Sequence, residues 1–329
     1  MSETPVLKVD DLRIQFRSGR ETVHAVNGAS FQVNAGETAA ILGESGSGKS
    51  VTASAVMRLL QSPPAYVSGG TVHFKGLDVL AMPLDRWREY CGRDVAMVFQ
   101  DALTSLNPVF SVGWQIAELF RTHGVASGKE ADERAVELLE RVGIPDPAAR
   151  SKDYTHQFSG GMRQRVMIAM AIALGPDLLI ADEPTTALDV TVQAQIMELL
   201  ESLREESDMA MVLITHDLGV VADAADNVAV MYAGRVVESG PVAEVLSRPG
   251  HAYTLALLDS VPQARGKGGK LRPIIGSPPD LARIPKGCAF NPRCRFATDI
   301  CRQEVPPSVA MAEGRVAECH HADQVFNDG

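Results

Sequence analysis

The 329-residue sequence lacks any apolar run long enough to cross a bilayer. About 18 consecutive apolar residues are needed, and the longest candidate, Val166 to Gly175, runs straight into Pro176-Asp177. A secretory leader is not expected either, because Met1-Ser2-Glu3-Thr4-Pro5 offers neither a basic start nor an apolar centre. No internal repeat is present, so one copy of the encoded unit is expected rather than a tandem pair. Basic charge is scarce. The 31 Lys and Arg against 41 Asp and Glu leave a net charge of −10, which argues against a nucleic-acid partner. Cysteine is nearly missing before residue 263, where Cys91 stands alone and reads as a small buried apolar side chain. What remains is ordinary for a globular protein with a sizeable core, 45% hydrophobic and 22% charged.

The distribution of charge and cysteine is uneven. From Gln263 onward ten Lys and Arg face seven Asp and Glu, a balance of +3, so the rest of the chain carries −13. Cys288, Cys294, Cys301 and Cys319 all lie in this tail. A separate module over 263–329 is expected, joined to a first domain over 1–262 through Ala264-Arg265-Gly266-Lys267-Gly268-Gly269-Lys270.

Hydrophobic patterning places the elements. Residues 6–16 alternate and read as an edge strand, and 31–42 reads as strand, turn, strand. Ser50 to Leu60 has helical spacing and stops before Pro63-Pro64. Val95–Phe99, Leu178–Ala181, Met211–Ile214 and Val228–Tyr232 are short continuous apolar runs, suited to parallel strands covered on both faces. Between Ala102 and Gln157 the chain reads as mostly helical, broken at Pro145 and Pro147. Strands alternating with helices imply an α/β layer fold with a helical subdomain at roughly 100–157.

Gly43-Glu44-Ser45-Gly46-Ser47-Gly48-Lys49-Ser50 fits G-x-x-x-x-G-K-S between an apolar strand and a helix. Such a loop cradles phosphates on backbone N–H groups, with the helix N-terminus adding partial positive charge beneath them. Lys49 suits the β- and γ-phosphates and Ser50 suits Mg²⁺. Asp182 ends a hydrophobic strand, where its carboxylate can hold Mg²⁺ through water. Glu183 follows at once and can polarise an attacking water. Phe158-Ser159-Gly160-Gly161-Met162 lies between these two sets.

The order and spacing of these segments resemble the ATP-binding cassette of transporters, in which two cassettes sandwich two ATP molecules. That resemblance implies a P-loop domain with a mostly parallel core sheet, an antiparallel N-terminal β-subdomain and a helical subdomain. The implied nucleotide contacts run from Gly43, Glu44, Ser45, Gly46, Ser47, Gly48, Lys49 and Ser50 to Val51. Asp182 adds to them, as do Ser159, Gly160 and Gly161 facing the partner's nucleotide, and Phe16 stacking on adenine. Glu183 is implied as catalytic base, His216 as a γ-phosphate contact, and Gln100 as a sensor of Mg²⁺ and permease. The implied Mg²⁺ ligands are Ser50, Gln100 and Asp182. Ala187-Leu188-Asp189 resembles the loop that touches the opposing cassette. The family's glycine signature begins with leucine and ends with glutamine, whereas Phe158 and Met162 stand here, as in cassettes with a non-identical mate.

Asp101-Ala102-Leu103-Thr104-Ser105-Leu106-Asn107-Pro108, Phe158 to Arg165 and the cysteine-bearing tail together resemble the oligopeptide/dipeptide permease ATP-binding subunits. The resemblance covers Val6 to His320. It implies an ATPase on the cytoplasmic face of the cell membrane that energises import of di- or oligopeptides. The partners it implies are a second ATPase subunit, two permease subunits and an extracytoplasmic solute-binding protein. Importers of nickel or other small solutes share the subfamily, and a soluble cassette ATPase outside transport is the other alternative.

The tail is poor in large apolar residues, and segments of this size usually need a staple. The four cysteines are separated by five, six and seventeen residues, which matches neither zinc ribbons nor the ferredoxin run. In a reducing compartment the residues alone leave a four-thiolate metal site or four unrelated thiols open. By resemblance to the permease subunits the expectation is a [4Fe–4S] cluster on Cys288, Cys294, Cys301 and Cys319, with Zn²⁺ as the alternative. Arg293, Arg295 and Arg302 are expected to offset its charge. His320 and His321 are spare ligands or surface residues.

Overall fold

A computed structural model of the chain describes residues 4–19, 21–186, 188–260, 272–312 and 314–328. Met1–Glu3, Ala187 and the stretch Ala264–Lys270 with its domain boundary lie outside the described residues. The chain divides into two compact units. One comprises Met1–Val33, Thr38–Ala81 and Ile214–Gly329; the other comprises Asn34–Glu37 and Met82–Leu213.

In the first unit, strand Leu7–Ser18 pairs antiparallel with Glu21–Val33 on one side and Ala65–Phe74 on the other. It is therefore central, not the edge strand expected. The alternation that suggested an edge reports only one buried and one wet face, which a central antiparallel strand also has. Leu7, Val9, Leu12 and Ile14 are buried, and the step from Val9 to Leu12 is a bulge with Asp11 at φ 46°. A Cβ on Gly70 would lie 2.4 Å from the Asp11 carbonyl oxygen, so the neighbouring strand needs glycine beside this bulge.

The same unit holds a second set of strands. Thr38–Leu42 and Asn227–Tyr232 run parallel, Leu42 opposite Val230, and Arg235–Pro241 is antiparallel to the latter. The tail contributes Val316–Ala317, paired to Glu238 and Ser239, with Val309–Ala310 beyond. Phe290, Cys319, Ala322 and Val325 of the tail share one hydrophobic core with Val228, Val230, Tyr232, Val245 and Tyr253. The apolar poverty of the tail is thus offset by a core borrowed from the preceding strands and helices.

The second unit pairs Val95–Val98 parallel with Leu178–Asp182, Val98 opposite Ala181. Every residue of both strands is buried, as their unbroken apolar composition predicts. Its longer helices are Val112–Thr122, Gly128–Arg141, Gly160–Ile172 and Val190–Ser207. Pro147 opens the short helix Pro147–Arg150 instead of ending one, since proline at the first helical position loses no hydrogen bond. In the first unit the helix expected over Ser50–Leu60 spans only Lys49–Val56, and Arg58, at φ 54°, is left-handed and cannot continue it. Among the described residues no helix is long and apolar enough to cross a membrane.

Candidate functional site

In the first unit, the loop Gly43–Ser50 connects the fully buried strand Thr38–Leu42 to helix Lys49–Val56. A Cβ on Gly43 would stand 2.2 Å from the Met231 carbonyl oxygen, and one on Gly48 2.3 Å from that of Ala25. Gly48 also has φ 103° and Gly46 has φ 77°. The loop is wedged against two backbone segments and turns through conformations that side chains resist. Lys49, 4% exposed, folds its Nζ back to donate to the carbonyl oxygens of Gly43 (2.7 Å) and Glu44 (3.1 Å). Its ammonium thus lies over the loop carbonyls. The buried Ser47 Oγ has no hydrogen-bond partner among the described residues.

Glu44 is held by groups that sequence reasoning missed. Its N–H donates to the Tyr253 hydroxyl oxygen at 2.9 Å, and its carboxylate accepts two bonds from Arg293, at 2.6 and 3.0 Å. Burial holds the Tyr253 and Tyr232 hydroxyls above the usual phenol range, so both remain neutral. No sequence signal joins positions 249 residues apart. Phe16, opposite Val23 and Ala65 in the antiparallel sheet, is half-exposed. His216 is exposed just past strand Ala210–Thr215, beside Asp217, which caps helix Leu218–Ala224 by accepting from the Gly219 N–H at 2.8 Å.

In the second unit, Asp182 is the buried last residue of its strand. Glu183 follows with φ 45°, a left-handed backbone on a residue that ordinarily avoids it. Such strain persists where the surroundings over-determine it, commonly at functional positions. The Glu183 Oε2 accepts from the Thr186 hydroxyl at 2.8 Å and from Gln100 Nε2 at 3.2 Å. The parallel register explains the second bond: Val98 lies opposite Ala181, so Gln100 and Glu183 leave the two strands at the same level. Gln100 and Glu183, both predicted from sequence, are thus brought together.

Ser159 caps helix Gly160–Ile172, its Oγ accepting from the Met162 N–H at 3.3 Å, while Ser159 and Gly160 stay exposed. A Cβ on Gly161 would stand 2.6 Å from Val192 Cγ1, so this glycine has a packing reason of its own against helix Val190–Ser207. Phe158 is buried. Asp189 caps helix Val190–Ser207 through the Val192 N–H at 3.0 Å.

The tail corrects several expectations. None of the five cysteines is in a disulfide; Cys301 and Cys319 are buried, Cys288 and Cys294 half-buried, and Cys91 half-buried rather than fully enclosed. Burial pushes the Cys288 thiol up to about 12 and Cys294 up to about 11, and raises Cys319; each also feels the charge of its cysteine neighbours. Cys288, Cys294 and Cys319 lie at one hydrophobic core, and the Cys288 N–H donates to the Cys301 carbonyl oxygen at 2.8 Å. Yet among the described residues no group of three or more His, Cys, Asp or Glu side chains could hold a metal ion. The arginines expected to balance a cluster sit on carboxylates, Arg293 on Glu44, Arg295 on Asp259 (2.7 Å) and Arg302 on Asp299 (2.6 Å). His320 and His321 face the Glu304 carbonyl oxygen and the Thr298 hydroxyl, at 3.0 and 2.8 Å, rather than a sulfur.

Comparison with known proteins agrees with this geometry. Residues 26–186 match the ABC transporter family and residues 237–301 the oligopeptide/dipeptide transporter C-terminal region. The chain is 50% identical to the oligopeptide transport ATP-binding protein OppD of Bacillus subtilis (strain 168), over 94% of this chain and 87% of that one. A putative peptide import ATP-binding protein of Brucella abortus (strain 2308) is 49% identical over 97% and 98% of the two chains. Among solved structures, a dimeric ATP-binding cassette, MJ0796, in a post-hydrolysis state bound to ADP and Pi superposes with a TM-score of 0.64 at 27% identity. It covers 72% of this chain and 98% of that one.

Proposed function

The chain belongs to the ATP-binding cassette family of transporter ATPases, and on that premise we propose that it is the ATP-hydrolysing subunit of a di- or oligopeptide importer. The observation that carries the ATPase assignment is the phosphate loop: Gly43 and Gly48, which leave no room for a Cβ, and Lys49 folded over the loop carbonyls. The peptide substrate rests on the named activities of relatives 47–50% identical over nearly the whole chain.

In this reading Gly43–Val51 hold the phosphates, Lys49 turning from the loop carbonyls to the β- and γ-phosphates. Ser50, Asp182 and Gln100 serve Mg²⁺, and Phe16 stacks on the adenine. Glu183 polarises the attacking water while Gln100 and Thr186 orient its carboxylate, as the hydrogen bonds to Oε2 favour. His216 contacts the γ-phosphate. Ser159, Gly160 and Gly161 face the nucleotide of a second, non-identical cassette; two permease subunits and a solute-binding protein complete the importer. The chain then works on the cytoplasmic face of the cell membrane.

A [4Fe–4S] cluster on Cys288, Cys294, Cys301 and Cys319 is the finer reading of the tail. It is supported by Cys288, Cys294 and Cys301 lying inside the region that matches the peptide-transporter C-terminal family, and by Cys319 sharing one hydrophobic core with Cys288 and Cys294. Zn²⁺ on the same four thiols is the alternative. The iron of a cluster would favour thiolates and oppose the upward shift that burial causes. Purifying the native complex by a tag on this chain, then identifying its membrane subunits and bound solute, tests the whole reading. Recovery without permease subunits would reject it.

A further inference from the structure

We propose that Arg293, in the cysteine-bearing tail, is a positioning residue for the phosphate loop. It neutralises and fixes Glu44, so the tail sets how tightly the loop holds nucleotide phosphates. This rests on the ATPase reading above and adds to it a residue from outside the cassette motifs.

The contact is a two-pronged ion pair. Arg293 Nη1 and Nη2 meet Glu44 Oε2 and Oε1 at 2.6 and 3.0 Å, with the arginine side chain 5% exposed. Planar guanidinium on carboxylate fixes direction as well as distance. The other polar groups of Glu44 are also engaged: its N–H on Tyr253, its carbonyl oxygen under Lys49. The residue after the first loop glycine is therefore held at amide, carbonyl and side chain together.

The holder is itself rigidly placed. Arg293 ends the turn Asn291–Arg293, next to Phe290, whose ring packs edge-on to Tyr232 (5.2 Å, 87°) and against Tyr253 (5.4 Å, 61°). Arg293 donates further to the Tyr232 hydroxyl at 3.3 Å and to the Ile275 carbonyl at 3.2 Å. Asn291 Nδ2 donates to the Cys288 carbonyl oxygen, and the Cys288 N–H to that of Cys301. Backbone order around the cysteines thus runs through one turn to the phosphate loop.

Electrostatics gives the contact a functional sign. A carboxylate in the loop opposes an incoming polyanion, and Arg293 cancels that charge. Removing the arginine alone leaves Glu44 part-buried, negative and unpaired; removing both charges does not. A staple that merely stabilises the tail would not discriminate between these cases.

The test uses the full chain, with thermal melting to verify folding and titration of MgATP, MgADP and adenosine to measure affinity. Arg293→Gln is expected to weaken MgATP binding about tenfold, ~1.4 kcal/mol, with a smaller loss for adenosine. Glu44→Gln combined with Arg293→Gln should recover most of the affinity, and Arg293→Lys should lose only about threefold, keeping charge without the fork. In the assembled complex KM for ATP should rise more than kcat falls. Wild-type affinity in Arg293→Gln would overturn the proposal, as would equal losses in the single and double variants. If Arg293→Gln does not fold, Arg293→Lys and the double variant carry the same comparison. A wild-type chain that binds no MgATP would instead reject the ATPase reading.

Discussion

Gly46 and Gly48 stand two residues apart in one loop, yet alanine should affect them very differently. At Gly46, φ is 77° and a Cβ would meet nothing within 4 Å. Gly46→Ala therefore pays the left-handed backbone term alone, about 1–2 kcal/mol. At Gly48, φ is 103°, farther from any well open to alanine, and the Cβ would stand 2.3 Å from the Ala25 carbonyl oxygen. That oxygen is backbone of strand Glu21–Val33, so it cannot swing away as a side-chain tip could. Backbone displacement adds about 1–3 kcal/mol, for roughly 2–5 kcal/mol in all. Gly48 also caps the helix that starts at Lys49, so the displacement moves Lys49 and Ser50 with it. Urea unfolding of both variants, followed by MgATP titration, separates the cases. Gly46→Ala should fold with a modest loss of stability and keep measurable nucleotide binding, whereas Gly48→Ala should be much less stable and bind no nucleotide. Equal losses at the two positions, or nucleotide binding intact in Gly48→Ala, would refute the reasoning from close approach.

Three further outcomes are expected. Glu183→Gln should keep ATP binding but lower turnover of the assembled complex by ~10²–10⁴-fold, as single-turnover assays with labelled ATP would show; near-normal hydrolysis would remove Glu183 as the base. Burial lowers the His251 pKa to about 3 from its ordinary 6.5, so the folded state keeps the ring neutral. Its contribution is present above pH 6.5 and is lost as pH falls from there toward 3; between pH 7.5 and 5.5 this amounts to ~1.4 kcal/mol. Urea unfolding at both pH values should show that loss in wild type and less of it in His251→Gln. Protein prepared without oxygen should contain about four irons and four acid-labile sulfides, and Cys294→Ser should make the tail protease-sensitive with nucleotide binding retained. Stoichiometric zinc without sulfide would reject the cluster.

Legibility in the sequence followed how local the cause was. The phosphate loop could be read from eight consecutive positions, although the close approaches that demand glycine at Gly43 and Gly48 come from Met231 and Ala25, outside the loop. Gln100 and Glu183 could be read as strand-end residues, though their hydrogen bond depends on a parallel register that no short segment encodes. The centrality of strand Leu7–Ser18 was hidden because alternation reports faces and not neighbours. The end of helix Lys49–Val56 was hidden because Arg58 adopts a left-handed backbone without being glycine. Least legible was the tail. Its composition suggested a stapled module, but Phe290 and Val325 complete a core built by residues far earlier, and Arg293 serves Glu44 rather than a cluster.

In the proposed importer, ATP hydrolysis by this chain drives peptide entry through a membrane complex. The most direct measurement is uptake of a labelled oligopeptide into vesicles carrying the purified complex, with ATP on the side of this chain. Uptake should require hydrolysable ATP, stop in the Glu183→Gln complex and be accompanied by ATP turnover that the isolated subunit does not match. Full turnover by the isolated subunit, together with peptide uptake indifferent to ATP and to Glu183→Gln, would contradict the account.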